Sequence, residues 1–278
     1  PVVKRALDDA NVQLGKIDGV AVTYGPGLVG SLLIGLSFAK ALSYSLRIPL
    51  IGINHIEGHI FANFLENPHL EPPLVCLVVS GGHSNLIYVE SRGEYELLGR
   101  TRDDAAGEAF DKVAKVLELG YPGGPIIDKA SKKGKPDFVR FPRAYLEEGS
   151  LDFSFSGLKT AVAIYVSRLS QGKLKKHRID IAASFQEAIV DVLVDKGIKA
   201  CLSKKVRNIT LAGGVARNSR LRERLEAEAE KHDLKVFYPP PILCTDNAAM
   251  IASAGDFRLS RGERSTLDLN AVPYARLC

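Results

Sequence analysis

An α/β fold built on parallel strand–helix–strand units is what this sequence predicts, on three observations. The first lies at residues 19–59: a strand "GVAVTY", the turn Gly25-Pro26-Gly27, an apolar helix "SLLIGLSFAKALSYSL", a strand "PLIGI", and the polar "NHIEGH" opening another helix. The second is the return of this plan at residues 208–250: strand "NITLA", glycine loop "GGVARN", helix "SRLRERLEAEAEKH", strand "KVFYP", then "CTDNAAM". Strand, glycine loop, helix, strand is the signature of a parallel βαβ unit. The third is bulk: 278 residues, 46% hydrophobic and 25% charged, are enough for one large or two ordinary domains and exclude a disordered chain.

The elements between these units follow in order. "VVKRALDDANVQLGKIDG" (2–19) patterns as an amphipathic helix with Val3, Leu7, Ala10 and Leu14 on one side. A chain opening in mid-architecture at Pro1 predicts a natural N-terminus further upstream. The Pro-containing "ENPHLEPP" (66–73) is the expected domain boundary, and "LVCLVVSGGHSNLIYVE" (74–90) reads as a hairpin turning at Ser80-Gly81-Gly82-His83. "DDAAGEAFDKVAKVLELGYPGG" reads as a helix with an acidic start that stops at Gly120 and Pro122. In "DIAASFQEAIVDVLVDKGIKACL", Ile181, Phe185, Ile189, Leu193 and Ile198 form a helical core stripe.

Charge and cysteine usage narrow the class. A formal charge of +5 suits a polyanionic partner without requiring one. Cys76, Cys201, Cys244 and Cys278 are scattered with no C-x-x-C pair, so neither a disulfide framework nor a structural zinc site is expected. No stretch approaches the roughly 18 consecutive apolar residues of a membrane span, and no signal pattern opens the chain. A cytoplasmic protein without membrane partners is the expectation.

Chemistry concentrates in a few places. His55 and His59 stand at i and i+4, on one face of a helix, where both imidazoles can reach one ion. From Gly25 to His55 is 30 positions and from Gly213 to Asp246 is 33, so two facing pseudo-symmetric units would set Asp246 opposite the histidines. Two histidines and a carboxylate suit iron(II) or another borderline divalent ion, with zinc also allowed. A zinc peptidase would need H-E-x-x-H; here Glu57 stands at i+2, about 200° round the helix from His55, and points away from a shared ion. Four glycine turns (Gly25-Pro26-Gly27, Ser80-Gly81-Gly82, Pro122-Gly123-Gly124-Pro125 and Gly213-Gly214) accompany neither a Walker sequence nor G-x-G-x-x-G, which suggests a nucleotide held between two lobes. Asp111, following Gly107 on an apolar-faced helix, and Asp128, four positions after Gly124, are candidate acceptors of ribose hydroxyls, or else solvated or capping groups. Asn218 is read as a helix cap or a ligand to a base or sugar.

"NHIEGH", "LVVSGGHSNLI", "DDAAGEAFDKVAK", "YPGGP", "LDFSFSGLKTA", "LAGGVARNSRLR" and "CTDNAAMIA" occur in the order and spacing of the tRNA N6-adenosine threonylcarbamoyltransferase family, and the chain resembles its bacterial and organellar branch along nearly its whole length. The resemblance implies an actin-like ATPase fold: two RNase H-like lobes around a nucleotide and metal cleft, with residues 1–72 as a partial first lobe and 73–278 as the second, carrying a helical insertion and the C-terminal helix. It implies transfer of threonylcarbamoyl from threonylcarbamoyl-adenylate to N6 of adenosine 37 in tRNAs reading codons that begin with A; the alternative is a non-catalytic ATP-binding scaffold like the family's degenerate paralogue, which generally lacks the histidine pair retained here as His55 and His59. One divalent metal, iron(II) favoured and zinc possible, would be held by His55, His59 and Asp246; Val78, Val79, Ser80, Gly81, Gly82, Asp111, Gly124, Asp128 and Asn218 would contact the adenylate or an adenine nucleotide. The implied partners are tRNA, a degenerate paralogue forming a heterodimer, and a small P-loop ATPase. The family's Glu-Thr-Ser-Cys-Asp strand is missing ahead of Pro1, so the chain alone is expected to be inactive or unstable.

No Ser-His-Asp or Cys-His arrangement is evident, so direct attack by the adenosine amine is expected, without a covalent intermediate. His83 is the nearest candidate for a base, with a local structural role as the alternative. The basic stretches at 129–143 and 203–207 are the candidate phosphate contacts.

Overall fold

A computed structural model describes residues 1–278, and the chain divides into two units: Pro1–Leu65 with Asn247–Leu277, and Glu66–Asp246 with Cys278. The elements of the first run α1 (Val2–Ala10), β1 (Val20–Gly25), α2 (Val29–Leu46), β2 (Leu50–Asn54) and α3 (His55–Glu66). β1 and β2 pair in parallel, from Val20 opposite Leu50 to Thr23 opposite Ile53, with α2 as the crossover. Leu32, Leu36, Ala39 and Ser43, three and four apart, are the buried face of α2.

α2 corrects one expectation. It is one helix long and apolar enough, by length and composition, to cross a membrane, with a mean hydropathy of 1.4 over its 18 residues. Ser31, Ser37, Lys40, Ser43 and Ser45 interrupt the apolar run, so a search for consecutive apolar residues passes over it. Its outer side exposes Leu33, Ile34, Phe38 and Tyr44.

The second unit contains β3 (Leu74–Val79), β4 (Ser84–Ser91), β5 (Glu94–Arg100), α4 (Ala106–Val116), α5 (Gly123–Ser131), α6 (Ser156–Ser167), α7 (Gln171–Lys204), β6 (Asn208–Ala212), α8 (Ser219–Glu230), β7 (Lys235–Phe237) and α9 (Pro241–Cys244). Its sheet runs β5-β4-β3-β6-β7, with β3–β4–β5 antiparallel and β3, β6 and β7 parallel. This is the strand order of an RNase H-like lobe, and the fold class is the actin-like α/β one. β3 is the central strand and all six of its residues are buried, as a continuous apolar run requires. The predicted hairpin turns over residues 80–83, where Ser80 N–H donates to His83 O at 2.8 Å and His83 N–H to Ser80 Oγ at 3.2 Å. His83 closes this turn through its backbone.

α7 is longer than its predicted stretch, reaching back to Ser170, whose side chain accepts from Lys173 N–H. Its stripe Ile181, Phe185, Ile189, Leu193 and Ile198 lies wholly in the core of this unit. Two acidic residues stitch α6 to the start of α4. Asp103 accepts from Phe155 N–H at 2.8 Å, from Ser156 Oγ at 2.7 Å and from Ser154 Oγ, while Asp104 pairs with Lys112 at 2.9 Å and Lys159 at 2.7 Å. The segments "RDDAAGEAF" and "LDFSFSGLK" therefore fold as one piece, a pairing that spacing along the chain does not reveal.

The chain ends back in the first unit with α10 (Ala248–Ser260), which packs on β1 and β2. This differs from the expected division at residue 72, which placed the C-terminal helix in the second lobe. Gly255 explains the return: a Cβ there would collide with the Ala21 Cβ, so only glycine lets α10 lie this close to β1.

Cys76, Cys201 and Cys244 are buried and Cys278 is exposed, all four as free thiols. Burial pushes Cys76 and Cys201 up to about 12, against a smaller opposing hydrogen bond from Thr210 at Cys76. The buried thiols are therefore protonated and inert at neutral pH. Titration of the native protein with a thiol reagent should find Cys278 alone reacting promptly, and the other three only on unfolding.

Candidate functional site

α3 starts at His55 because Asn54 ends β2 with a capping side chain: its Oδ1 accepts from Ile56 N–H at 2.9 Å and its Nδ2 donates to Arg276 O at 3.2 Å. One helical turn then stacks His55 under His59, with ring centroids 4.7 Å apart and planes at 78°. His59 is buried and His55 half-buried. The residues between them serve the helix, not the rings. Glu57, 1% exposed, meets Arg258 of α10 through Nη2–Oε1 at 2.7 Å and Nε–Oε2 at 2.9 Å. Burial works against the Arg258 charge, but the hydrogen bonds it donates to Glu57 and Glu263 outweigh this and raise its pKa further above the ordinary value. Gly58 faces the same helix, where a Cβ would come within 2.6 Å of Ile251 Cδ1.

The third donor comes from the entry to α10. Asn247 caps that helix by accepting from Met250 N–H at 2.9 Å, and Asp246 is the residue just before the cap. The donor atoms of His55, His59 and Asp246 all lie within 4.8 Å of one another. Small side-chain rotations would bring such a set around an ion held at about 2.0–2.2 Å from each atom. Two neutral imidazoles and a carboxylate suit a borderline divalent ion, so the residues present fit the metal that the sequence implies.

Within the second unit a pocket of 350 Å³ opens at the ends of β3 and β6. Gly81, Asp111, Gly124, Asp128 and Asn218 of the expected contacts line it. Thr245 lines it too, and Asp246 is the next residue along the chain. The glycines here divide in two. Gly107 and Gly213 pack backbone on backbone, 2.5 Å from Ser80 O and Val79 O for an added Cβ, and Gly123 would strike Asp111 Cα at 2.6 Å. Gly81, Gly124 and Gly214 have nothing within 4 Å, so their small size leaves room for whatever enters.

The two carboxylates are held by one oxygen each. Asp111 Oδ1 accepts from Gly123 N–H at 2.7 Å, and Asp128 Oδ1 accepts from Ser219 N–H at 3.1 Å and Ser219 Oγ at 2.8 Å. The second oxygen of each carries no protein hydrogen bond, which leaves two oriented acceptors on the pocket wall. Asn218 is the cap of α8, its Oδ1 accepting from Leu221 N–H at 2.9 Å while its Nδ2 donates to Gln186 Oε1 at 2.8 Å.

Other expected contacts lie elsewhere. Val78 and Val79 are fully buried in β3, so their side chains belong to the core and not to the pocket wall. Ser80 and Gly82 flank Gly81 without lining the pocket. Of the basic stretch 129–143, Arg143 is taken out of contention by its fork on Asp191, with Nη2–Oδ2 at 2.8 Å and Nε–Oδ2 at 3.0 Å. In 203–207, Lys204 is spent on Glu96 and on the Tyr88 ring, 4.7 Å from its centroid. Sequence reasoning passed over Arg217, the one cation lining the pocket. Its signal was its place next to Asn218 in "GGVARN".

The chain is similar to known proteins throughout. The family model TsaD, tRNA N6-adenosine threonylcarbamoyltransferase, matches residues 1–253. A protein of that name from Clostridium botulinum (strain 657 / Type Ba4) is 58% identical over 276 residues, covering 99% of this chain and 81% of the relative. One from Clostridium perfringens (strain SM101 / Type A) is 56% identical over the same coverage. Among solved structures, the crystal structure of HypF from T. kodakarensis superposes with a TM-score of 0.68 at 15% identity, over 92% of this chain and 42% of that one. At that identity the likeness speaks for the fold alone.

Proposed function

Because the chain belongs to the tRNA N6-adenosine threonylcarbamoyltransferase family, we propose that it transfers threonylcarbamoyl from threonylcarbamoyl-adenylate to N6 of adenosine 37 in tRNAs reading codons that begin with A. The observation that carries this reading is the pairing of a three-donor metal set with a glycine-walled pocket bearing two half-engaged carboxylates.

In this reading the pocket holds the adenylate. The open space at Gly81, Gly124 and Gly214 lets main-chain groups approach the ligand closely. Asp111 and Asp128 accept ribose hydroxyls through the oxygens that the protein leaves open, and Arg217 faces the phosphate. Asn218 orients the α8 end of the pocket. Holding the acyl donor in one pose converts attack by the adenosine amine into an effectively unimolecular step. A divalent ion bound by His55, His59 and Asp246 would supply Lewis-acid polarisation at a carbonyl or phosphoryl oxygen. Iron(II) is the metal we favour, with zinc chemically allowed.

A peptidase reading has no base to use, since Glu57 is buried on Arg258. The exposed apolar side of α2 supports a protein partner, for which the degenerate paralogue is our candidate, together with a small P-loop ATPase. A cytoplasmic location goes with such a tRNA-modifying role.

His55→Ala tests the assignment. Made in the full-length protein, the substitution should keep the thermal midpoint within a few degrees, remove most of the bound metal by elemental analysis, and abolish transfer to an unmodified tRNA. Equal metal content in the two proteins would refute the ligand set.

A further inference from the structure

The tertiary structure brings together two basic segments that lie about 40 residues apart in sequence. One is the turn after α5, bearing Lys132, Lys133 and Lys135; the other is the start of α7, bearing Lys173, Lys175, Lys176, His177 and Arg178. Gly134 makes the approach possible, since a Cβ there would meet Ile179 O and come within 2.9 Å of Ala183 Cβ. Polar contacts lock it: Lys135 N–H donates to Asp180 Oδ1 at 3.0 Å, Val139 N–H to Ser184 Oγ at 3.0 Å, and Ser184 Oγ to Lys135 O at 3.2 Å.

Three features set this surface apart from a solvated charge run. First, six exposed lysines, Lys132, Lys133, Lys135, Lys173, Lys175 and Lys176, none with a carboxylate within salt-bridge distance, are gathered on two segments that pack together. Second, α7 has no acidic residue in its first turn, so lysines sit at the end of the helix where the dipole is already positive. That placement costs stability and strengthens the positive field outside the helix. Third, Phe138, 37% exposed, stacks on His177 with centroids 4.9 Å apart and planes at 16°, presenting a ring at the surface amid the cations. The acidic groups here are few. Asp180 is engaged with the Lys135 amide and lies 3.6 Å from His177, Asp137 is exposed, and Glu223 borders the groove beside Lys132.

We propose that this surface receives a looped, single-stranded stretch of RNA, its phosphates on the lysines of both segments and one unstacked base on the Phe138 ring. Cations that follow a backbone, with an aromatic ring for a base, are the elements of single-strand recognition. A duplex would satisfy the lysines but leave the ring unused. The proposal rests on the reading above that the protein acts on tRNA.

The test is anisotropy binding of the full chain to an unmodified anticodon stem-loop and to a fully paired duplex of equal length, across a salt series. Replacing Lys132, Lys133, Lys173 and Lys176 together with Gln should weaken stem-loop binding at least about tenfold and flatten the salt slope by roughly 0.7 for each phosphate no longer neutralised. Phe138→Ala should weaken it about tenfold with the salt slope unchanged. Phe138→Leu, which keeps the packing volume without the ring face, should do the same and guards against misfolding. Wild-type affinity and slope in the lysine variant would overturn the surface, and equal loss of duplex and stem-loop binding in Phe138→Leu would overturn the base seat. If the lysine variant instead lost only binding to phosphatidylserine vesicles, the partner would be a membrane and the proposal would fall. A wild-type chain that binds no stem-loop would sink the tRNA reading itself, which separates the two failures.

Discussion

Glu57→Ala should lower the unfolding free energy by about 3 kcal/mol, toward the lower end of the range for breaking a buried ion pair, because Glu263 stays beside Arg258 at 2.6 Å. Glu57 is 1% exposed and its carboxylate takes both the Nε and Nη2 of Arg258, so truncation strands a half-buried guanidinium. Denaturant unfolding of the two proteins measures the difference directly. Pairing Glu57→Leu with Arg258→Met should recover most of the loss, since removing both charges also removes the desolvation cost. The remaining folded protein should bind its metal as before, because the donors are His55, His59 and Asp246. Loss of metal at unchanged stability would instead make Glu57 a ligand and reverse this reading.

The adjacent glycines at the start of α5 should behave in opposite ways. At Gly123 a methyl group would meet Phe110 O and lie 2.6 Å from Asp111 Cα, and the Gly123 amide is the donor that fixes Asp111. Gly123→Ala should therefore destabilise by about 1–3 kcal/mol, the usual cost of overpacking. At Gly124 nothing lies within 4 Å, so Gly124→Ala should be neutral or stabilising by up to about 1 kcal/mol through reduced chain entropy. The functional order is reversed for bulkier side chains. Gly124→Val fills space on the pocket wall and should cut binding of an adenine nucleotide by tenfold or more while the fold stays intact. Calorimetry of both proteins with AMP gives affinity, and thermal unfolding gives stability. Equal affinity for wild type and Gly124→Val would remove Gly124 from the site.

Local pattern made much of this protein legible. A strand of consecutive apolar residues such as β3 has one use, the middle of a sheet, and the stripe from Ile181 to Ile198 has one place to go. Both βαβ units could be read because glycine, proline and hydrophobic period are local signals. His55 and His59 were legible as a pair for the same reason: the period of a helix sets their separation whatever surrounds it.

What the sequence by itself determined is therefore the two βαβ units, the central apolar strand, the core stripe of α7, the donor types and the family. Tertiary structure alone decided which residues of similar type do different work. Two glycines in "PGGP" look alike in sequence, yet one abuts Phe110 and the other faces an open pocket. Glu57 sits between two histidines in sequence and belongs in space to Arg258, 201 positions away. Lysines of two segments become one surface only because Gly134 lets a turn lie on α7. Each of these rests on contacts between distant parts of the chain, and no local period or propensity encodes the partner at the other end.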